Sequence, residues 1–186
     1  LSKMMKCTAC GKGLLKPAYL DDLFACHTCN HCFGNWIMLN DYLQWLENSP
    51  LVEPAGELMV TALDSKHVLI CPKTGTMMLK YRISGRTEHR LDLSSDIGGI
   101  WMDKGEWNLL KKEGLARSLK QIFTAPWQKK IKEEKTAEVL SARYEEKFGL
   151  NGYKQVKEMR SWLDDQDHRL EMLAYLIADD PYSTNR

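Results

Sequence analysis

Four cysteines near the start of the sequence stand at the spacing of metal ligands. Cys7 and Cys10 form one Cys-x-x-Cys pair, Cys29 and Cys32 form another, and eighteen residues separate the two pairs. This spacing is typical of four-cysteine zinc sites. Four thiolates complete a tetrahedron around zinc and leave no position for a reacting water, so the pattern predicts a structural site.

The second cysteine pair has an alternative. Cys26 and Cys29 are also separated by two residues, so either Cys26 or Cys32 could complete the pair with Cys29. His27 and His31 lie in the same stretch and could substitute as ligands, because imidazole also binds zinc. We interpret both histidines as exposed residues of the turns. The spacing thus predicts zinc and leaves one ligand open.

The stretch from Cys7 to Trp36 carries a resemblance to a known family. It runs Cys-x-x-Cys-Gly, a short hairpin-like spacer, and Cys-x-x-Cys-x-Gly-x-Trp. This arrangement resembles the zinc ribbon of the transcription-factor-IIB-type zinc-finger family, which is common as small bacterial proteins. The ending with Gly34 and Trp36 favours Cys32 as the fourth ligand and makes Cys26 a buried strand residue. The resemblance implies contact with nucleic acid or protein, and it does not imply catalysis.

A second segment repeats parts of this pattern. It begins with Cys71-Pro72-Lys73-Thr74-Gly75, and its ending, Gly-Ile-Trp-Met-Asp-Lys-Gly-Glu around Trp101, closely matches the ending of the same family. Alignment of Trp101 with Trp36 leaves Cys71 as the one retained ligand. The other three ligand positions hold Thr74, Ser94 and Ile97. The resemblance therefore implies one metallated ribbon followed by a ribbon that has lost its metal.

Length and composition limit the classes of protein that the chain can represent. Its 186 residues allow one domain or two small ones, and 44% hydrophobic with 27% charged residues is ordinary for a globular protein. The net charge of +1 does not give the basic field that a nucleic-acid-binding domain usually carries. No run reaches the apolar length of a membrane span, and no leader is recognised. Paired thiols without a leader predict a reducing cytoplasm.

The predicted elements give an α+β fold in three parts. Residues 1–50 are predicted to form the small zinc ribbon and a short helix. Residues 51–113 are predicted to form a degenerate, metal-free second β-ribbon and a helix, and residues 114–186 a C-terminal helical domain. Strands of the second ribbon are expected at 67–71, 77–83 and 89–93. The helices carry apolar stripes that must pack, because isolated helices of this length are marginal in water.

Proline, glycine and short polar residues mark the predicted turns and helix ends. Turns are predicted at Pro17 and at Asp21-Asp22. Asn40 is the predicted N-cap of the first helix, and Gly149 the predicted C-cap of a long later helix. The first helix is expected to stop at two prolines, Pro50 and Pro54.

Trp36 and Trp101 each follow a glycine by two residues. A tryptophan on a small ribbon can be a stacking platform for nucleobases. It can also cover the core of a ribbon that otherwise buries too little apolar area. We favour this structural role, because the tryptophan recurs in the segment that lacks the metal ligands.

A basic stretch lies between residues 111 and 132. Its seven basic residues are Lys111, Lys112, Arg117, Lys120, Lys129, Lys130 and Lys132. On one face they could contact phosphates. The alternative is the solvated side of two helices, since Glu133-Glu134 follow directly. The region 164–180 is acidic instead, and this polarity could pair head to tail between chains.

Catalytic signatures are lacking in the sequence. His67, His89 and His168 lie far apart, and neither a nucleophile elbow nor a glycine-rich phosphate loop is found. We therefore expect a protein that is not an enzyme. The expected function is a non-catalytic adaptor or regulatory module that contacts another protein. The alternative is a transcription-related zinc ribbon that binds nucleic acid through the basic stretch, and the oligomeric state is left open.

Overall fold

The computed structural model describes residues 5–49 and 61–183 and shows an α+β fold. The predicted helix stops at Pro50 and Pro54 lie outside the described residues. The strands are β1 (Met5–Lys6), β2 (Leu14–Leu20), β3 (Phe24–Cys29), β4 (Asn35–Met38), β5 (Leu79–Arg82), β6 (Arg90–Ser94) and β7 (Gly99–Met102). The helices are α1 (Leu39–Asn48), α2 (Glu106–Lys112), α3 (Leu119–Ile122), α4 (Ala125–Asp164) and α5 (Arg169–Ile177).

All seven strands form one antiparallel sheet in the order β1-β2-β3-β4-β7-β6-β5. The centre of the sheet is the pairing of β4 with β7, in which Trp36 stands opposite Trp101 and Ile37 opposite Ile100. This pair joins the cysteine-rich segment to the second segment. The two predicted ribbons therefore share a sheet.

The sheet separates two apolar clusters, because neighbouring side chains of a strand point to opposite faces. Trp36 and Trp101 lie in one cluster with Cys7, Cys29 and Cys71. Ile37 and Ile100 lie in the other, larger cluster, which also receives side chains from α1, α2 and α3. These helical side chains are Tyr42, Trp45, Trp107, Leu110, Leu119 and Ile122. One face of the sheet thus positions the cysteines, and the other carries the main core.

Local predictions in the first ribbon have mixed outcomes. The turn at Asp21-Asp22 is confirmed, and both residues have positive φ, 53° and 58°. The turn at Pro17 is wrong, because Pro17 lies inside β2 opposite His27. Asn40 is not the N-cap of α1: β4 runs directly into the helix, so Met38 occupies the N-cap position.

In the second segment, the strands differ from the predicted ones: β5 (Leu79–Arg82) is shorter than the predicted 77–83, and β6 (Arg90–Ser94) is shifted by one residue from the predicted 89–93. Residues 67–71 contribute one isolated bridge, between Ile70 and Met77, rather than a strand. A tight turn explains this, since the Gly75 amide donates to the Cys71 carbonyl and Gly75 has a φ of 75°. The strand β7, which pairs with β4, was not among the predicted strands.

The chain divides into two compact units, Leu1–Glu134 and Lys135–Arg186. The predicted domain limits after residues 50 and 113 remain predictions. Within α4, Gly149 leaves the helical conformation with φ 72° and ψ 158°, as expected for the end of a helical segment. Among the described residues, no helix is long and apolar enough to cross a membrane.

Candidate metal centre

The four predicted ligand sulfurs lie together at one end of the sheet. The Sγ atoms of Cys7 and Cys32 are 3.7 Å apart, those of Cys10 and Cys29 are also 3.7 Å apart, and all four lie within 4.8 Å of one another. A tetrahedral ion with metal–sulfur bonds of about 2.3 Å requires sulfurs about 3.8 Å apart. The tetrad is therefore positioned to bind a metal ion.

Two tight turns hold these cysteines. The Gly11 amide donates to the Cys7 carbonyl at 3.0 Å, and the Phe33 amide donates to the Cys29 carbonyl at 3.1 Å. Gly13 allows the turns to approach, because a Cβ there would lie 2.3 Å from the Cys29 Sγ atom. The sequence motif did not single out Gly13, since its role depends on the opposite turn.

Backbone amides point at the sulfurs, as they do around thiolate ligands. The Gly13 amide donates to the Cys10 Sγ atom at 3.4 Å. The amides of His31 and Cys32 donate to the Cys29 Sγ atom at 3.4 and 3.5 Å. Such hydrogen bonds orient ligands and stabilise negative sulfur.

The thiols do not ionise equally. Burial raises the pKa of Cys7 well above its usual range and raises the pKa of Cys32 to about 11. For Cys10, burial opposes ionisation, but the amides of Lys12 and Gly13 lower its pKa to about 6. Four thiolates at these distances need a central cation to compensate their charge, which is the condition that a bound metal ion meets.

The alternative ligands lie outside this group. Cys26 is buried, with its Sγ atom 3.7 Å from the Thr28 hydroxyl. The prediction of an exposed turn residue is wrong for His27, which is half-buried on β3 opposite Trp36, where burial lowers its pKa, whereas His31 is exposed in a turn. Neither Cys26 nor a histidine belongs to the cluster of four ligand atoms. The geometry favours Cys32 as the fourth ligand.

The second segment has a similar turn at Cys71, where Thr74 stands three residues later. The Thr74 amide donates to the Cys71 Sγ atom at 3.4 Å, in the way that the Cys32 amide donates to the Cys29 Sγ atom. Burial opposes ionisation of Cys71, but the hydroxyls of Ser94 and Thr74 lower its pKa. Within residues 5–49 and 61–183, Cys71 is not part of a potential metal-binding group.

The two tryptophans are not available for stacking on a nucleobase. Trp36 is 0% exposed and Trp101 is 2% exposed, and both lie in the cluster that includes the ligand cysteines. This burial agrees with their interpretation as core residues that cover the interior of the ribbons.

The basic stretch is partly engaged within the protein. Lys111 forms an ion pair with Asp21 at 2.6 Å, and Arg117 donates to the Leu46 carbonyl at 3.1 Å. Lys129 and Lys130 lie on α4 beside glutamates one turn later, at 3.7 and 3.9 Å. Lys112, Lys120 and Lys132 complete the set of seven. The seven residues therefore extend over four structural contexts, from α2 through the 113–118 loop and α3 to α4.

A second group of potential ligands was not recognised from the sequence. Asp64, His89 and Glu106 bring one ligand atom each to within 4.8 Å of the others. The sequence left His89 isolated, because the three residues are far apart along the chain. Their proximity depends on the pairing of the strands.

Comparison with known proteins identifies a family for the N-terminal segment. Residues 6–48 match the family model described as transcription factor zinc-finger. The matched segment contains all four cysteines of the tetrad and ends in α1. Searches of curated proteins and of solved structures found no match.

Proposed function

We propose that this protein is a non-catalytic zinc-ribbon module that binds a protein partner in a reducing compartment such as the cytoplasm. The main observation in favour of a protein partner is the large number of exposed apolar side chains on α4 and α5. Between residues 139 and 177 they are Val139, Leu140, Tyr144, Phe148, Leu150, Val156, Met159, Trp162, Leu170, Leu173, Tyr175, Leu176 and Ile177. Exposed apolar surface of this extent is typical of interaction sites.

Zinc is the proposed occupant of the cysteine tetrad. Sulfur pairs at 3.7 Å fit a tetrahedral zinc ion, and soft thiolates select zinc over hard cations. Four protein ligands leave no open coordination position. The role of this ion is therefore structural, which supports a module without catalytic activity.

We interpret the second segment as a metal-free copy of the ribbon. Trp101 follows Trp36 by 65 residues, and the first residue of β5, Leu79, follows the first residue of β2, Leu14, by the same distance. A positive φ recurs at this spacing, since Phe33 has a φ of 59° and Gly98 a φ of 64°.

Apolar packing replaces the lost metal in this interpretation. A structural zinc contributes roughly 10–16 kcal/mol of apparent binding free energy, which a ribbon without it must obtain elsewhere. Around Cys71, Leu69 and Met78 are 1% and 3% exposed, and Ile97 packs against the same cluster. This apolar surface is the proposed substitute for the metal.

Nucleic-acid binding through the basic stretch is the alternative function. Nucleic-acid binding is less favoured because two of the basic side chains have partners within the protein. Lys111 pairs with Asp21, and Arg117 donates to the backbone carbonyls of Leu46 in α1 and of Ser49 directly after it. On α4, Lys129 and Lys130 have acidic neighbours. Phosphate binding by such residues would compete with these internal contacts.

Affinity purification from the native host tests the proposed partner. The full chain is compared with the double variant Leu170→Ser, Ile177→Ser, whose side chains are 72% and 82% exposed and do not support the core. Tyr19→Ser, at 70% exposure on β2, is the matched control. We expect a protein that is retained by the wild type and the control, is lost with the double variant, and resists nuclease treatment.

Nucleic-acid binding would give a different result. Its affinity falls steeply with salt, because bound counterions are released from the phosphates. Tight gel-shift binding that weakens several hundredfold between dilute and physiological salt, with no effect of the α5 variant, would replace the protein partner with nucleic acid.

A further inference from the structure

Asp64, His89 and Glu106 converge from three separate parts of the second segment. Asp64 lies in the stretch before Leu69, His89 directly precedes β6, and Glu106 is the first residue of α2. Their ligand atoms lie within 4.8 Å of one another. Glu106 is 1% exposed, so its carboxylate is removed from bulk water. Burial of a carboxylate is unfavourable unless a partner compensates its charge.

The ring of His89 contacts both Glu106 and the backbone of Leu63. Its Nδ1 atom lies 3.4 Å from the Glu106 Oε1 atom, and the ring also hydrogen-bonds the backbone of Leu63. A neutral imidazole can carry its lone pair on Nδ1. That lone pair then faces a carboxylate oxygen. A cation, either a proton or a metal ion, must lie between them.

The surrounding charges favour a metal ion over a single proton. Asp103 and Asp92 are buried beside the group, at 7% and 1% exposure, and raise its negative charge. Asp103 accepts hydrogen bonds from the Trp101 indole and the Ser65 hydroxyl, both at 2.8 Å, and Asp92 pairs with Lys80 at 2.9 Å. Within this buried group four carboxylates thus share one lysine and one histidine, while two further cations near Asp64, Lys66 and Arg90, are exposed.

We propose that Asp64, His89 and Glu106 form a second metal site, which binds a divalent transition-metal ion such as zinc through one nitrogen and two oxygens. Imidazole with carboxylates suits zinc and its neighbours rather than magnesium or calcium. Ligand atoms around such an ion lie about 3.3 Å apart, so Asp64 moves inward on binding. Its side chain is half-buried and lines a cavity of about 280 Å³, to which Lys66, Lys80 and Arg90 also contribute.

Binding at this site would cross-link the second segment. The ion connects the stretch before Leu69, the start of β6 and the start of α2, which are otherwise joined by hydrogen bonds such as that from the Leu63 amide to the Lys104 carbonyl. The site uses none of the cysteines. It is therefore separate from the tetrad and from the position of Cys71, and it does not depend on the proposed partner.

Zinc titration of the full chain tests this site. Protein that already holds one thiolate-bound zinc is titrated with zinc chloride by calorimetry. The wild type is expected to bind one additional equivalent. Glu106→Gln and Asp64→Asn are expected to weaken this second binding at least tenfold and to keep the first zinc. Gln at 106 retains an oxygen for the Asp103 amide, so the fold is preserved.

Matched controls separate the site from general surface binding. His67→Gln and Asp96→Asn alter exposed residues of the same segment and are expected to keep the second equivalent, as is Cys71→Ser. With Co²⁺, the second equivalent should add weak visible bands without sulfur-to-metal charge transfer. Absence of a second equivalent in the wild type would mean that a proton alone occupies the group, and equal binding by Glu106→Gln would also overturn the site.

Discussion

Trp36 and Trp101 stand directly opposite each other in the β4–β7 pair, and each indole covers the glycine that precedes the other by two residues. A Cβ atom on Gly34 would lie 2.2 Å from the Trp101 ring, and one on Gly99 would lie 2.1 Å from the Trp36 ring. The two Gly-x-Trp motifs are therefore mutually complementary. This reciprocal packing joins the two segments at the centre of the sheet.

Alanine at either glycine should destabilise the protein. The added methyl group of Gly34→Ala or Gly99→Ala overlaps a buried indole, and overpacking of a core typically costs about 1–3 kcal/mol. Urea denaturation followed by tryptophan fluorescence measures the loss. Gly152→Ala is the control, because its Cβ would meet the Phe148 Cβ atom at 3.6 Å within a helix. There alanine should be neutral or stabilising, and an unchanged midpoint in Gly99→Ala would contradict the reciprocal packing.

Metal content should depend on the tetrad and not on the other cysteines. Purified wild type is expected to contain one thiolate-bound zinc, as measured by elemental analysis and thiol reactivity. Cys29→Ser should lose this zinc and unfold the first ribbon, since the Cys29 Sγ atom also accepts two backbone amides. Cys71→Ser should leave the content unchanged.

The Cys26 and Cys32 variants distinguish the two possible choices of the second Cys-x-x-Cys pair. Cys32→Ser should release the zinc, whereas Cys26→Ser should keep it, because the Cys26 sulfur lies beside Thr28 outside the tetrad. The reverse result would mean that Cys26, and not Cys32, binds the zinc together with Cys29.

The features that sequence predicted well are local ones. Ligand spacing at the two Cys-x-x-Cys pairs, the Asp21-Asp22 turn and the break at Gly149 depend on residues close along the chain, and the structure contains each of them. Periodicity and spacing carry such information directly. The α+β class followed from the same local patterns.

Long-range relationships were not predictable in this way. The register of β4 against β7 pairs residues between 61 and 67 positions apart, and the ion pair of Lys111 with Asp21 spans 90 positions. Asp64, His89 and Glu106 carry no spacing motif, so nothing in the sequence indicated that they lie together. Asn40 was predicted as the N-cap because asparagine is a favoured cap residue. That preference does not reveal that β4 continues directly into α1.

The buried hydroxyl of Tyr42 should contribute measurably to stability. Tyr42 is 0% exposed; its hydroxyl donates to the Ala116 carbonyl at 3.0 Å and accepts from the Leu119 amide at 3.2 Å. Tyr42→Phe leaves both backbone groups unpaired, which costs about 1–3 kcal/mol for a buried group. Chemical denaturation measures this cost. Tyr19→Phe, at 70% exposure, is the control and should change stability little. Equal midpoints for the two variants would mean that water replaces the Tyr42 hydroxyl.

Asp92 should make the protein less stable as the pH rises through its titration range. Burial raises the pKa of Asp92 to about 6, although Lys80 opposes this shift. The folded state therefore holds a proton between about pH 4 and pH 6 that the unfolded state has lost. Stability from this group is complete below the unfolded pKa and is lost as the pH approaches and passes 6.

Asp92→Asn removes this contribution while keeping the shape of the side chain. Lys80 retains its hydrogen bond to the Ser65 carbonyl. The free energy of unfolding of Asp92→Asn, minus that of the wild type, should therefore increase from pH 4.5 to pH 6.5 and become constant above pH 7. Urea titrations of both proteins in the same buffers, without added metal, measure the difference and cancel effects shared by the two chains. A difference that stays constant from pH 4.5 to pH 7 would show that Asp92 has the same pKa in the folded and unfolded states.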